Sequence, residues 1–208
     1  MSKLKRAIAP KELYGKKRNI LEFTGDWLDH IGNPEIKGTW FIYGHSGNGK
    51  TSYCTQFAKY LTNFGRVWYN GLEEGDSLSF EEALKRVGME TVGNKFLLIE
   101  DRTYESLKVR LKRRNRADFV FIDSLQRFKM TSAELEALEL EFPNTQFIII
   151  GHAEGKKPEG RRGKTIEYFA FVKIWIEGFK AFVKSRYGGT EPFVIYPKRA
   201  AEYWTDIE

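Results

Sequence analysis

Short apolar runs alternate with longer amphipathic segments through most of the chain. The apolar runs predict five buried strands, at residues 39–43, 67–70, 95–99, 118–122 and 146–150. The segments between them predict four helices, at residues 51–64, 80–87, 104–114 and 133–141. Strands and helices that alternate at this spacing are typical of a parallel sheet covered by helices on both faces.

The last part of the chain has a different pattern. Residues 172–176 and 181–184 are strand-like, and the segment Glu177-Gly178-Phe179-Lys180 between them favours an antiparallel hairpin. Residues 193–196 predict one more short strand before Pro197. We therefore expect an α/β fold with a mostly parallel central sheet flanked by helices and a C-terminal antiparallel β-hairpin at its edge.

Composition and charge narrow the classes of partner. The 208 residues, 41% of them hydrophobic, suit one domain with a core, and the net charge of +6 permits polyanionic partners or serves solubility alone. Seven of the first 18 residues are Lys or Arg, so we divide the chain into a basic N-terminal arm and lead-in, residues 1–37, and a core, residues 38–208. Such an arm is either solvated or a tether to nucleic acid or a neighbouring subunit.

The single cysteine, Cys54, excludes a disulfide within the chain and a cysteine-based zinc site. No apolar run approaches the roughly 20 residues of a membrane span. No secretory signal is visible at the basic amino terminus. We expect a cytoplasmic protein without a membrane partner.

A glycine-rich segment lies between the first predicted strand and the first predicted helix. Its residues, Gly44-His45-Ser46-Gly47-Asn48-Gly49-Lys50-Thr51, match the G-x-x-x-x-G-K-[ST] phosphate loop, and Ser52 follows directly. Glycines let backbone N–H groups turn towards a phosphate, and the helix start adds its positive dipole end. In this motif Lys50 reaches the β- and γ-phosphates and the Thr51 hydroxyl binds Mg²⁺. The segment predicts a site for ATP and Mg²⁺; the alternative is a chance glycine-rich turn.

Acidic residues follow two of the other predicted strands. Asp123 ends the apolar strand at residues 118–122, at the sheet edge where ligands of open α/β sheets bind, so we expect it to hold the Mg²⁺. Hydrolysis also needs a group that orients or deprotonates water. Glu73 and Glu74 follow the strand at 67–70 and would lie at the same edge; we favour Glu73 as the base, with Glu74 as the fallback. Exposed loop acids are the alternative.

These segments together resemble the RecA-like ATPase core, closest in motifs to the RadA/Sms branch and the DnaB type. The resemblance rests on the phosphate loop, on Leu72-Glu73-Glu74 and on Asp123-Ser124-Leu125-Gln126. The stretch 166–178 and the motif Lys184-Ser185-Arg186-Tyr187-Gly188 extend it, so that it covers residues 39–196. Tyr168 and Phe171 stand where RadA usually has His and Asp, and the single cysteine leaves no RadA-type zinc finger. What remains is similar to small RecA-core recombination and annealing proteins of phages.

The resemblance implies roles for three further residues. His152 in Gly151-His152 corresponds to a γ-phosphate sensor, and the alternative is a loop histidine at a strand end. Lys184 and Arg186 correspond to a basic pair that reaches a neighbouring subunit's γ-phosphate, where an arginine contributes on the order of 10³–10⁵ in rate. The alternative for this pair is an edge strand whose charges discourage aggregation.

Two predicted loops at the same sheet edge are basic. Their positions, 125–132 and 153–164, correspond to the DNA-binding loops of RecA-like proteins, and glycine and proline make the second one flexible. We expect single-stranded DNA to contact the basic side chains Arg127, Lys129, Lys156, Lys157, Arg161, Arg162 and Lys164. Phe128 is the candidate for base stacking. A solvated mobile loop is the alternative.

The sequence therefore predicts an ATP-hydrolysing protein that acts on single-stranded DNA in recombination, repair or replication, as a ring or filament of identical subunits. Two alternatives stay open. One is a small-molecule or nucleotide kinase in which the loop 153–164 is a lid. The other is a nucleotide-gated DNA loader that binds ATP and barely hydrolyses it.

Overall fold

The structure is a computed structural model, and it describes residues 6–205. Residues 1–5 of the predicted arm, with Lys3 and Lys5, and residues 206–208 of the predicted core lie outside this range. The strands are β1 (Thr39–Gly44), β2 (Val67–Gly71), β3 (Phe96–Ile99), β4 (Phe119–Asp123), β5 (Gln146–Glu154), β6 (Lys157–Pro158), β7 (Val172–Glu177), β8 (Lys180–Ser185) and β9 (Phe193–Val194). The helices are α1 (Pro10–Tyr14), α2 (Asp26–Ile31), α3 (Lys50–Leu61), α4 (Leu78–Arg86), α5 (Tyr104–Leu111), α6 (Ser132–Glu141), α7 (Gly160–Phe169) and α8 (Pro197–Thr205), with a 3₁₀ segment at Met89–Lys95.

The strands form one mixed sheet in the order β3-β2-β4-β5-β1-β7-β8-β9, and the short β6 pairs with β5. Every pairing from β3 to β7 along this order is parallel, while β8 and β9 are antiparallel additions. The predicted fold class, a mostly parallel sheet flanked by helices with an antiparallel edge, is therefore confirmed. From β1 the chain continues to β2 and β3 at one edge of the sheet, and it then returns to β4 and continues in the opposite direction through β5 to β7. Ligands of open α/β sheets bind at the carboxyl ends of the strands beside a point where the strand order reverses in this way.

The sheet is buried on both faces because alternate residues of each central strand enter different clusters. On β1, Trp40 and Ile42 pack with α3, whereas Phe41 and Tyr43 pack on the opposite face with α5, α6 and α7. All six residues of β1 are buried. This explains why the central strands are continuous apolar runs rather than alternating ones.

Part of the predicted lead-in packs against the core. Leu21, Phe23 and Ile31 are buried in the cluster on the α3 face, and Trp27 stacks on Phe57 with ring centroids 4.8 Å apart. Residues 21–36 therefore pack on the hydrophobic face of α3 and cover part of it. The boundary between the N-terminal arm and lead-in, residues 1–37, and the core, residues 38–208, stays a prediction.

The segment 153–164 differs from the flexible loop that the sequence predicts. Strand β5 continues to Glu154, turns at Gly155 with a φ of 59°, and pairs with β6. Helix α7 then begins at Gly160. Glycine and proline here shape a tight hairpin and a helix start, and they do not leave the chain irregular.

A buried histidine makes folding sensitive to acid. His30 on α2 is 1% exposed; its Nδ1 donates to the carbonyl of Glu191 at 2.7 Å, and its Nε2 accepts from the Tyr53 hydroxyl at 2.9 Å. Burial lowers the pKa of His30 to about 4, although the hydrogen bond to Glu191 opposes this change. The folded state therefore binds this proton less readily than the unfolded chain, in which histidine has a pKa near 6.5.

We expect the free energy of unfolding to fall as the pH drops from about 6.5 to 4, with His30 accounting for about 3 kcal/mol of the loss. Above pH 6.5 the contribution is fully present, because His30 is neutral in both states. Urea unfolding at a series of pH values measures this dependence. His30→Gln should flatten that part of the profile relative to the wild type. Equal slopes for the wild type and His30→Gln would contradict the assignment.

Candidate nucleotide-binding site

The glycine-rich segment forms the turn between β1 and α3, as its sequence context predicts. Gly44 ends β1 so close to β7 that a Cβ at this position would lie 2.4 Å from the carbonyl oxygen of Ile176. Gly47 and Gly49 have φ values of 78° and 98°, which side chains disfavour. The first N–H groups of α3 have no partner within the helix, so the loop and the helix start together present donors to an anion.

Lys50 and Thr51 are the first two residues of α3, and both face partners from other elements. The Nζ of Lys50 donates to the carbonyl of His45 at 3.0 Å, which folds the side chain over the loop. Burial lowers the pKa of Lys50, and the nearby carboxylates of Glu73, Asp123 and Glu74 oppose that change. The hydroxyl of Thr51 donates to Glu74 Oε1 at 2.7 Å.

Asp123 ends β4 and is nearly inaccessible to solvent. It is 7% exposed, and its Oδ2 accepts a hydrogen bond of 2.6 Å from the buried Tyr69 hydroxyl. Burial raises the pKa of Asp123 to about 7; Glu73 and Glu74 act in the same direction, while Tyr69 and Lys50 oppose it. A carboxylate held in such a place gains from a nearby cation, because a cation compensates for its lost hydration.

The residues present fit a magnesium ion that keeps most of its ligands from water and phosphate. The described residues contain no cluster of three or more His, Cys, Asp or Glu side chains that could hold a metal. Mg²⁺ in phosphate sites needs no such cluster, since one or two protein oxygens and the substrate's phosphates suffice. Thr51 and Asp123 supply oxygens of this kind, and both line the same cavity.

The two glutamates after β2 have separate partners. The loop after β2, which carries both glutamates, is held against β4, because the N–H groups of Leu72 and Glu73 both donate to the carbonyl of Asp123, at 2.6 and 3.2 Å. Glu73 Oε2 lies 3.2 Å from His152 Nε2, at the far end of β5. Glu74 bonds instead to Thr51 and, through its other oxygen, to Ser79 at 2.8 Å. Glu73 thus faces His152 on β5, whereas Glu74 faces Thr51 on α3.

One cavity of about 280 Å³ is lined by residues of the phosphate loop, of α3, of the loop after β2 and of β4, whereas His152 is not among the described residues that line it. Sequence-predicted residues from three segments line it, namely Ser46, Gly47, Gly49, Lys50, Thr51, Ser52, Glu73, Glu74 and Asp123. Phe179 and Arg199 complete the lining, and the sequence analysis assigned no role to either. The structure therefore brings together sequence-predicted residues that are up to 77 positions apart in the sequence, namely Ser46 of the loop and Asp123.

Phe179 belongs to the hairpin turn between β7 and β8, which is fixed against the phosphate loop. The N–H of Gly178 donates to Asn48 Oδ1 at 2.8 Å, and the N–H of Phe179 donates to the Asn48 carbonyl at 3.2 Å. The guanidinium of Arg199, on α8, lies 5.3 Å from the centre of the Phe179 ring and 5.7 Å from that of Tyr196. Only the hairpin signal at 177–180 could have pointed to Phe179; nothing in the sequence marks Arg199.

The cavity of about 280 Å³, which we call the phosphate cavity after the loop that lines it, adjoins a larger cavity beside α3. The larger cavity has a volume of about 1050 Å³, and it shares Ser52, Phe179 and Arg199 with the smaller one. Its remaining walls mix apolar and aromatic side chains, among them Tyr60 and Phe193, with polar and charged ones such as Gln56, Lys59 and Arg86. A long ligand with an anionic end and a flat end that carries polar groups can therefore occupy both cavities.

Lys184 and Arg186 lie away from this cavity. Both are exposed at the end of β8, and the Arg186 guanidinium stacks over Phe171 at 4.3 Å from the ring centre. Neither residue is among those of the described chain that line the phosphate cavity. The cavity lining therefore gives no support for a role at the chain's own site, and a role at a neighbour's site stays a prediction.

The predicted nucleic-acid residues fall into three groups. Arg127 and Lys129 are exposed on the turn between β4 and α6; Lys156 and Lys157 lie on the β5–β6 hairpin; Arg161, Arg162 and Lys164 lie on α7. Two predictions need correction. Phe128 is fully buried and cannot stack on a base. Arg162 donates to the carbonyls of Leu125, Phe128 and Met130, so its guanidinium holds the turn in place.

The phosphate-loop motif before the first long helix and the aspartate at the end of β4, which β5 separates from β1, lie at the edge of an open α/β sheet where such sheets bind ligands. The fold is RecA-like. The structure is similar to the crystal structure of the flagellar accessory protein FlaH from Methanocaldococcus jannaschii, with a TM-score of 0.61 and 17% sequence identity. The match covers 86% of this chain and 97% of FlaH. No family model and no curated protein matches the sequence.

One further structural finding concerns membranes. Among residues 6–205, no helix has both the length and the apolar character needed to cross a bilayer.

Proposed function

We propose that this protein binds ATP with Mg²⁺ and hydrolyses the nucleotide, and that it acts on single-stranded DNA in recombination, repair or replication. The observation that carries the first part is the single cavity shared by Lys50, Thr51, Asp123 and Glu73. One lysine, the buried carboxylate of Asp123 and the half-buried hydroxyl of Thr51, placed around a loop of N–H donors, suit a magnesium triphosphate. The RecA-like fold supports this interpretation.

Each side chain has a defined task in this proposal. Lys50 and the loop N–H groups bind the phosphates, while Thr51 and Asp123 hold the metal, which neutralises phosphate charge when it is bound. The Tyr69 hydroxyl fixes the orientation of Asp123. Glu73 orients water and takes its proton, and His152, 3.2 Å from Glu73, contacts the terminal phosphate. Glu74 positions the Thr51 hydroxyl.

The nucleoside occupies the larger cavity. Phe179 and Arg199 stand at the junction of the two cavities, and a planar guanidinium stacked on an aromatic ring forms a wall that suits a flat base. Arg199 also brings positive charge to the phosphate side, because it lines both cavities. ATP in this position would contact the hairpin turn as well as the phosphate loop.

The basic residues of the β5–β6 hairpin and α7 support the DNA part of the proposal. Four basic side chains are exposed on these two elements, namely Lys156 and Lys157 on the hairpin and Arg161 and Lys164 on α7. The kinase alternative has less support, because a lid must open and close, whereas Arg162 binds α7 to three carbonyls of the neighbouring turn. The chain would work as a ring or filament, as the resemblance to the RadA branch implies.

Nucleotide binding and turnover can be tested together. We expect Lys50→Ala to weaken ATP binding at least tenfold, because it removes the only described lysine that lines the phosphate cavity. Arg199→Ala should raise the Kd for ATP by a smaller factor, and Arg116→Ala, an exposed arginine elsewhere, should not change it. Equilibrium binding of a fluorescent ATP analogue measures these effects. Single-stranded DNA should stimulate phosphate release by the wild type.

Unchanged ATP binding by Lys50→Ala would contradict the assignment of the site. Transfer of phosphate to a nucleoside or metabolite instead of water would favour the kinase. Turnover that saturating single-stranded DNA leaves unaltered would contradict the DNA part, and ATP binding without measurable turnover would favour the loader.

A further inference from the structure

A second concave surface lies on the face of β1 and β7 opposite α3. We call it the aromatic groove; its volume is about 380 Å³. Its floor is aromatic, formed by Tyr43, Trp175, Phe182 and Trp204, and its walls carry Lys156, Lys157, Lys173 and Lys184. Trp175 and Phe182 are direct neighbours across β7 and β8, so their rings share one face of the sheet. The three aromatic side chains contributed by β7, β8 and α8 are half-buried, which leaves part of each ring accessible.

The charges around the groove are unbalanced. Lys173 and Lys184 are paired directly across β7 and β8, an arrangement of like charges that destabilises a sheet. Within residues 6–205, no carboxylate lies within 4 Å of the ammonium groups of these two lysines or of Lys156 and Lys157. A bound anion would relieve this repulsion.

The two acids of the groove are already engaged. Glu167 accepts a hydrogen bond of 3.0 Å from the Tyr43 hydroxyl, and Glu177 accepts one of 3.2 Å from Trp175 Nε1. These contacts hold the aromatic rings in place, so the carboxylates serve the floor of the groove. The four lysines of the groove, which have no carboxylate partner within 4 Å among residues 6–205, can therefore bind an anionic ligand.

A shallow basic surface on α7 continues the groove. Arg161, Lys164, Thr165 and Tyr168 line it, at the spacing that places them on one face of a helix. The Tyr168 ring is free of packing, with 86% of the residue exposed. Lys173 Nζ donates to the Tyr168 carbonyl at 3.4 Å, which joins the helix surface to the groove.

We infer that the α7 surface and the aromatic groove together bind one strand of nucleic acid, with bases on the aromatic rings and phosphates on the lysines. Proteins that bind single strands combine these two elements, a basic path and exposed aromatic rings. Charge alone would suit any polyanion; the interleaved rings favour a polymer that carries flat bases. The inference rests on the DNA part of the proposed function, and it assigns the strand to α7 and the groove instead of the turn that carries Arg127 and Lys129.

The groove is also in contact with the phosphate loop. His45, within the loop, has its Nε2 2.9 Å from the carbonyl of Gly155 in the β5–β6 hairpin, and its ring lies 5.8 Å from that of Trp175. A strand bound to the hairpin lysines and Trp175 would therefore touch elements that contact the nucleotide. This gives a direct structural route by which nucleic acid could stimulate turnover.

The test measures binding of a short fluorescein-labelled oligothymidylate to the full chain by anisotropy. Tyr168→Ala should raise its Kd about five- to hundredfold, because base stacking on an aromatic ring is lost. Tyr14→Ala is the matched control, since Tyr14 is 83% exposed on α1. Lys173→Gln should also reduce the slope of log K against log salt by about 0.7, one phosphate contact. Lys85→Gln, on α4, is the control for that loss of charge.

The outcomes separate the surface from the proposed function. If the wild type binds the strand, and Tyr168→Ala and Lys173→Gln bind it equally well while Arg127→Ala does not, the surface is wrong and the DNA part of the function stands. If the wild type binds no oligonucleotide even at low salt, both are overturned. If Tyr168→Ala and Lys173→Gln change only self-association, measured by light scattering, the groove joins two copies of the chain and the inference is overturned.

Discussion

Replacing Glu73 with Gln is expected to reduce ATP turnover by about 10²–10⁴-fold while ATP still binds. The Glu73 carboxylate lines the phosphate cavity, and its Oε2 lies 3.2 Å from His152 Nε2. Glutamine keeps the size and the hydrogen-bonding capacity of the side chain, but it cannot accept the proton of an attacking water. The loss should therefore appear in kcat, with little change in the affinity for ATP, because Glu73 is not among the groups assigned to phosphate or metal.

Glu74→Gln is the matched control, since it makes the same change one residue later. Glu74 bonds to Thr51, so its replacement should raise the Mg²⁺ concentration needed for half-maximal turnover and affect kcat less at saturating Mg²⁺. Phosphate release at several Mg²⁺ concentrations distinguishes the two variants. A large loss of kcat in Glu74→Gln with normal turnover in Glu73→Gln would reverse the assignment, and full activity in both would place the base elsewhere.

The central sheet and the phosphate loop could be predicted because local sequence determines them. A strand buried on both faces must be apolar throughout, and the motif ending in Lys50-Thr51 needs a strand before it and a helix after it. The position of Asp123 follows from the same logic, since the carboxyl ends of parallel strands share one edge. These features depend on a few neighbouring residues and on the period of burial.

The segment 153–164 was predicted incorrectly because its fold depends on distant contacts. Gly155, Pro158 and Gly160 are typical loop residues, yet Gly155 makes a tight turn with a φ of 59° and Gly160 has a φ of 70° at the start of α7. Arg162 then anchors the helix through carbonyls more than 30 positions earlier. No local pattern reveals such a contact.

Long-range packing also explains the missed and undecided site residues. Arg199 reaches the phosphate cavity because α8 packs against the β7–β8 turn, where Trp204 Nε1 donates to the Gly178 carbonyl at 3.0 Å. The sequence could place Glu73 and Glu74 only at the same edge. Their partners, His152 and Thr51, become distinct when β5 and α3 are positioned in space.

Arg186→Ala is expected to reduce turnover on the order of 10³–10⁵-fold if the proposed assembly presents this arginine to a neighbouring subunit. The geometry within one chain supports a role in trans: Arg186 is exposed at the end of β8, stacked on Phe171, and absent from the described lining of its own phosphate cavity. Its loss should leave the Kd for ATP nearly unchanged, because the chain's own phosphate loop is intact. Arg116→Ala, which removes an exposed arginine elsewhere, controls for the change in charge.

Mixing two inactive variants decides whether Arg186 acts in trans. Arg186→Ala has an intact phosphate loop and Lys50→Ala has an intact Arg186, so a mixed assembly contains sites that hold both. We expect turnover to reappear on mixing, to increase with the proportion of such sites, and to require association that light scattering detects with a non-hydrolysable ATP analogue. If the mixture stays inactive although it associates, or if Arg186→Ala alone retains turnover, Arg186 does not complete a neighbour's site. The pair on β8 would then be a charged edge that opposes unwanted strand pairing.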